Sequence, residues 1–514
     1  MTGTFNGGDP EAALAQVLGT IFSGKAPGVK TGELPAFFPG PVPPLKPGPV
    51  LILPPDLTRI HSRAGTLTGT VCRELEKHSS ETAGIRDRWS LGAIVPALGT
   101  HRPLNPEEIA RMFPRCPAEM FLPHQWRDDT VELGRLRADW VAAVFSGQSP
   151  GDSPRAKEGA LVFGGHTPTD HSGTQGGGRA KSPVDRAYYM DWPVQVNRLL
   201  RDGLPPGNGK ARGPKGGEPF SLIISIGQVV PHEVAGMANH AKNIFVGTGG
   251  AEAINKSHWL GALYGLERIM GERENPVRSL FDEALRRFGG LLPPVLWVLT
   301  VVDQTGTFRG LFTGFGRECF EQASNLAARV NITRLDEPAR KIVVWLDPGE
   351  YRSTWLGNKA LYRTRKAIAS GGELVILAPA LDRFGEDGEI DGLIRRYGYQ
   401  GRAAILRALG AEHSAKETPG RLGGSLCAAA HLIHGSTEGR FTVRYCPGKA
   451  PEKTGGPVER RDIESVGYEW GNLTEEAARY LPEGPEKLAA GWNSSSRGER
   501  FYFIRNPGLG LWTV

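Results

Sequence analysis

Cysteine is scarce: five in 514 residues (Cys72, Cys116, Cys319, Cys427, Cys446), an odd number with no Cys-x-x-Cys pair. That argues against a disulfide framework or a thiolate zinc site and fits a reducing cytoplasm. Long hydrophobic runs are missing too. None approaches the roughly 20 residues a bilayer span requires, so no membrane partner is expected. The N-terminal stretch lacks a basic segment followed by an apolar block and a small-residue cleavage site, so no secretory signal is read. Nor does charge of one sign dominate, since 61 Lys and Arg against 55 Asp and Glu leave a net +6. The basic residues form no stripe interleaved with aromatics, so no nucleic-acid partner is expected. Much of the excess sits in Gly-rich stretches around Arg179–Lys181 and Lys210–Lys215, which is compatible with an anionic small substrate.

What is plentiful is glycine (69) and proline (40), without the Gly-X-Y period of collagen. A hydrophobic content of 39% and 11 Trp supply real cores. At roughly 150 residues per domain the length implies two to four domains, and no solenoid repeat is present. Short apolar strands alternate with helical patterns: Val50–Pro54, Leu91–Leu98, Ser221–Ile226, Pro294–Val302, Lys341–Leu346 and Glu373–Ala378, with helices at Arg317–Val330 and Gly357–Ala369. The expected fold class is α/β: two α/β domains with mostly parallel sheets and an interdomain cleft, divided as 1–290 and 291–514. Residues 147–183 and 203–219, rich in Gly, Ser, Thr and Pro, look like loop insertions. Their composition makes His166 and His171 solvent-exposed loop residues rather than metal ligands.

Polar residues cluster just past strand ends, the edge where open parallel sheets hold ligands. The densest group runs from His232 to Trp259, with three His, two Lys and the glycines Gly247, Gly249 and Gly250. Glycine at that density permits close backbone approach to a phosphate or flat ligand. A Walker loop and an HExxH helix are both absent. Lys242 lies in an apolar stretch, where desolvation favours a neutral, nucleophilic amine; an ordinary surface lysine is the competing reading. His101, in Gly99-Thr-His-Arg-Pro, suits a general base or a helix-capping loop residue. In Asp56-Leu-Thr-Arg59 the guanidinium can grip a carboxylate or simply pair with Asp56.

Taken in order, Asp56-Leu-Thr-Arg59, Gly99-Thr-His101-Arg-Pro and His232…Lys242…His258 resemble the nickel-pincer lactate racemase superfamily over roughly residues 45–440. The resemblance implies that Lys242 carries a nickel-pincer nucleotide through a thioamide bond, in the N-terminal domain. His258 would be the protein's ligand to nickel, with Gly247, Gly249 and Gly250 offering close backbone approach. A planar S–C–S–N donor set suits Ni(II). It further implies His101 and His232 as two bases that accept the hydroxyl proton from either enantiomer, Arg59 on the substrate carboxylate, and Asp56 orienting Arg59. Maturation enzymes that build the cofactor become implied partners.

One departure stands out. Where the family commonly has Gln and Lys three residues apart, this chain has Arg363 and Lys366, with Asn358 and Lys359 one turn earlier as further donors. A second guanidinium tilts the expected substrate from lactate towards a sugar acid of gluconate/mannonate type, with malate as the competitor. The implied activity is isomerisation, racemase or epimerase, at C2 of a small 2-hydroxy acid. Alternatives are a nicotinamide-dependent 2-hydroxy acid dehydrogenase, disfavoured because no Gly-x-Gly-x-x-Gly opens a helix after the first strand, and a non-catalytic anion-binding protein.

Overall fold

The computed structural model describes residues 9–23, 42–79, 88–147, 189–204, 219–414, 422–448 and 458–514. Both Gly-rich insertions, with His166 and His171, fall almost entirely outside the described residues.

The strands are the apolar runs, burying β-branched and leucine side chains on both faces as parallel strands do. The first sheet comprises β1 (Pro49–Leu53), β2 (Ser90–Ile94), β3 (Leu222–Gln228), β4 (Val295–Val302) and β5 (Phe308–Gly314), in the order β2-β1-β3-β4-β5. All its pairs are parallel except the β4–β5 hairpin. The second sheet holds β6 (Ala339–Trp345), β7 (Ile368–Ala378), β8 (Thr442–Pro447), β9 (Glu469–Trp470), β10 (Gly491–Ser494) and β11 (Arg500–Ile504), in the order β9-β8-β7-β6-β11-β10. Only β10–β11 is antiparallel. The α/β class with mostly parallel sheets is therefore the observed architecture. The division at 290 does not follow the sheets, because β4 and β5 hydrogen-bond into the first sheet and carry it to Gly314.

Helices pack on these sheets: α1 (Pro10–Phe22), α2 (Ala64–Ser79), α3 (Pro106–Met112), α4 (Ala251–Tyr264), α5 (Pro276–Phe288), α6 (Glu318–Asn331), α7 (Lys359–Thr364) and α8 (Leu426–His434). The start of α3 is written in its sequence. Asn105 accepts from the Glu108 N–H at 2.8 Å, Glu108 accepts from the Asn105 N–H at 2.9 Å, and Pro106 opens the first turn. The expected helix over Gly357–Ala369 is shorter. It ends at Thr364, and Ala367 donates back to the Thr364 carbonyl at 2.7 Å so that β7 can begin at Ile368.

Candidate functional site

The loops beyond β1, β2 and β3 meet at the carboxyl edge of the first sheet. Pro55 bridges Ala97, and the Gly99 N–H donates to Gly247 O at 2.9 Å, fixing the Asp56 and His101 loops beside each other. Gly99 sits at φ 58°, where glycine alone is unstrained. A cavity of about 160 Å³ opens there, lined by Asp56, Arg59, His101, His232, Lys242, Gly247 and His258 from this side. From the second half of the chain, Trp355, Lys359, Tyr362, Cys427, His431 and His434 close it. A second cavity of about 300 Å³ shares Asp56, Thr58, His101 and Leu356 with it, and Arg102, Glu350 and Arg383 line its outer part.

Asp56 is not Arg59's partner, as expected, but His101's. Its Oδ2 takes the His101 Nδ1–H, while Oδ1 accepts from the Thr58 N–H at 3.2 Å and the Thr58 hydroxyl at 2.6 Å. Burial opposes the charged form of Asp56, but its interactions with His101, Thr58 and Arg59 outweigh it and hold the carboxyl well below its usual range. An ionised carboxylate on Nδ1–H fixes the tautomer that leaves a lone pair on His101 Nε2, the form a base needs. The Arg59 guanidinium carries no side-chain hydrogen bond or ion pair among the described residues, so it is free to take an anion.

His232 differs from the expectation of a second base. It lies in the tight Pro231–His232/Gly236–Met237 hairpin, and its Nδ1 accepts from the backbone N–H groups of Val234 at 3.1 Å and Ala235 at 3.3 Å. Burial, with Lys242, Arg363 and Arg59, pushes its pKa well below normal despite Glu233. The neutral ring with an accepting Nδ1 bears its proton on Nε2. In this arrangement His232 is a hydrogen-bond donor.

Lys242 leads into a π-turn over Asn243–Gly247, anchored where the Asn243 amide donates to Ser225 Oγ on β3 at 2.8 Å. Asn239 and His240 just before it adopt left-handed conformations (φ 71° and 57°). The buried Arg278 guanidinium on α5 binds the carbonyls of Asn239, at 3.2 Å, and Met237. The Lys242 amine has no hydrogen bond or ion pair among the described residues, and burial together with the Arg59 charge pushes its pKa down to about 8.

His258 projects from α4 with Nδ1–H donating to Ile254 O at 2.8 Å, which leaves the Nε2 lone pair available. Burial pushes its pKa down to about 4, so the ring is neutral, the state a metal requires. Among the described residues no group of three or more His, Cys, Asp or Glu forms a metal cage. A metal here would rely on His258 plus donors brought by another molecule.

The glycines answer to packing. A Cβ on Gly249 would meet Phe245 O at 2.0 Å, and one on Gly250, which caps α4, would meet Gln195 Oε1 at 2.5 Å. Only Gly247 of the three lines the cavity. Arg363 and Lys366 also sit elsewhere than expected. Arg363 is fully buried behind the wall, with Nη1 donating to Gly510 O at 3.4 Å and Nη2 3.6 Å from Glu233 Oε2. Lys366 lies past the end of α7, where its backbone bridges Thr513, and it does not line the cavity. Lys359, at the helix's opposite end, does.

Sequence reasoning missed Glu233, hidden by its neighbour His232, and the α8 wall. Cys427, His431 and His434 recur at helical spacing, a signal that was there to read. His431 stacks near Trp355 (centroids 4.3 Å apart) and bonds the hydroxyls of Tyr362 at 2.7 Å and Tyr399 at 3.0 Å.

These buried imidazoles predict acid lability. Burial holds His124 and His258 near pKa 4, and His431 and His434 near 3, with His232 and His240 also far below the normal 6.5. Below about pH 6.5 the unfolded chain takes up protons the folded one refuses, so stability falls as pH falls from 6.5 towards 4. Each such group contributes up to about 1.4 kcal/mol per pH unit. Urea unfolding midpoints should drop clearly between pH 7 and 5; a flat profile would contradict the burial of these rings.

No protein family and no curated protein matches the chain by sequence. Solved structures do resemble it. A crystal structure of a Thermotoga maritima protein aligns with TM-score 0.66 at 19% identity, over 98% of this chain and 99% of that one. The lactate racemase apoprotein of Thermoanaerobacterium thermosaccharolyticum aligns with TM-score 0.56 at 14% identity, over 91% of this chain and 87% of that one. At these identities the likeness is one of architecture: the chain has a lactate-racemase-like fold.

Proposed function

We propose that this protein is a racemase or epimerase that inverts C2 of a 2-hydroxy acid, with a nickel-pincer nucleotide on Lys242 and a sugar acid favoured over malate or lactate as substrate. The observation that carries this reading is the convergence of Arg59, His101, His232, Lys242 and His258, from separate loops and a helix, on one cavity. The residues fit the cofactor. An unpaired, partly deprotonated amine is available for the covalent bond, and one imidazole lone pair is free for nickel where no protein cage competes. The cavity beside Lys242 adjoins a second one that shares Asp56, Thr58, His101 and Leu356 with it. Bound there, the cofactor supplies the acceptor and donor of the hydrogen at C2.

The rest falls to the chain. Arg59 binds the substrate carboxylate with its guanidinium fork. His101 Nε2 takes the hydroxyl proton, and the Asp56 carboxylate steadies the imidazolium that forms. His232 Nε2–H donates to the C2 oxygen as it becomes a carbonyl. Proton and hydrogen both return to the substrate, so nothing is consumed.

The test is chiral chromatography of 2-hydroxy acids incubated with matured, nickel-loaded protein; net oxidation requiring NAD, or no inversion of any acid, would overturn the proposal. His258→Ala separates metal from covalent attachment. Elemental analysis should show at least tenfold less nickel while intact mass retains the adduct on Lys242. Unchanged nickel would remove His258 from the ligand set.

A further inference from the structure

Two charged groups in the cavity have no part in the roles above. Glu233 lines it from the His232 hairpin and Lys359 from the start of α7. Glu233 Oε2 is covered and lacks a hydrogen-bond partner, with the Arg363 guanidinium 3.6 Å behind it. Oε1 is 4.0 Å from His232 Nε2, the atom assigned to the C2 oxygen. The Lys359 side chain is buried, its ammonium 5.8 Å from the Tyr351 ring, and it makes no hydrogen bond or ion pair among the described residues. Both charges line the same cavity, and they form no ion pair with each other.

Resting on the reading of this site as a C2-inverting centre, we propose that Glu233 and Lys359 form a subsite that reads the carbon chain beyond C2 and selects a polyhydroxylated acid. A carboxylate only accepts hydrogen bonds and an ammonium only donates them. A hydroxyl does both, so neighbouring hydroxyls on one chain can satisfy both groups at once. The methyl group of lactate leaves two buried charges bare, which costs affinity. The second carboxylate of malate pairs with Lys359 but confronts Glu233 beside it. A cationic substituent pairs with Glu233 and confronts Lys359 and Arg363. Arg363, read from sequence as a substrate-binding guanidinium, instead stands behind Glu233 as the counter-charge of its buried carboxylate, 3.6 Å from Oε2. The case for malate that rested on Arg363 therefore lapses.

The test uses D-gluconate, L-malate and L-lactate as probes. Binding is read by calorimetry on the full chain, and C2 inversion by chromatography with nickel-loaded enzyme. Wild type should bind and invert gluconate with the highest kcat/KM. Glu233→Ala and Lys359→Met should each lower the gluconate value by about 10- to 100-fold, the worth of a hydrogen bond to a charged group, with lactate changing less than threefold. The isosteric Glu233→Gln, which guards against misfolding, should lose less than Glu233→Ala and relax the discrimination against malate. Preference for lactate or malate in wild type, or equal losses on all three acids, would overturn the subsite and leave C2 inversion standing. If loaded enzyme inverts none of them, the functional reading falls, and calorimetry decides the subsite alone: gluconate bound most tightly, and weakened by Glu233→Ala, supports it; any other order overturns it.

Discussion

Asp56→Asn should lower kcat by between about 10² and 10⁴, the range a correctly oriented general base supplies, without disturbing the fold. The reasoning lies in which atoms are already claimed. The Thr58 N–H and hydroxyl both donate to Oδ1, so the asparagine oxygen will occupy that position. The amide NH2 is then turned to His101 Nδ1, where the carboxylate had accepted. A donor facing Nδ1 forces the proton onto Nε2, and the ring presents an N–H where a lone pair is required. The same substitution in the serine protease triad traps the wrong tautomer and costs about 10⁴. Because neighbouring charge keeps Asp56 ionised well below the ordinary carboxyl range, its protonation should leave no acid limb in the rate profile above pH 4. Kinetics of nickel-loaded enzyme with chromatographic detection would check this, and a loss under tenfold would show that His101 is not the base.

Lys242→Ala should abolish turnover, by at least about 10³-fold, and remove the adduct from the intact mass. At pH 7 an amine titrating near 8 is roughly one-tenth unprotonated, whereas an ordinary lysine has about four in ten thousand molecules in that form. The cavity thus raises the share of neutral amine well above that of an ordinary lysine. Lys242→Arg is the discriminating control. It keeps a positive charge facing Arg59 and Glu233 but has no nucleophilic amine, so it should be as inactive as alanine. An active Lys242→Arg enzyme would mean that the residue serves as a charge, and the covalent proposal would fall.

Much of the fold was legible because buried parallel strands are continuous apolar runs, and β1, β3, β4 and β6 begin or end within two residues of those runs. Helix boundaries were legible where a cap is written locally, as at Asn105–Glu108. They were misjudged where tertiary pairing wins, as at Ile368, which β7 takes from the expected helix. The first sheet runs past the expected division at 290 for a similar reason: β4 and β5 join a sheet begun some 240 residues earlier, and adjacency in a sheet leaves no mark in local pattern. In the site, residue types read well because backbone tethers enforce them. Pairings read poorly. Asp56 lies close to Arg59 in sequence, yet His101 claims it through the Pro55–Ala97 bridge. Lys366 was assigned by spacing alone, whereas the helix's opposite end reaches the cavity. Glu233 needed the structure, since only the approach of Arg363 across 130 positions shows why a carboxylate is buried there.

The left-handed pair Asn239–His240 stores about 1 kcal/mol or more at each residue, and Arg278 holds it in place by gripping two carbonyls from α5. That brace leaves the chain on the near side of Lys242 little slack with which to reach out for a reagent. If Lys242 carries the proposed nucleotide, its acylation is therefore expected on the folded scaffold rather than on an extended chain.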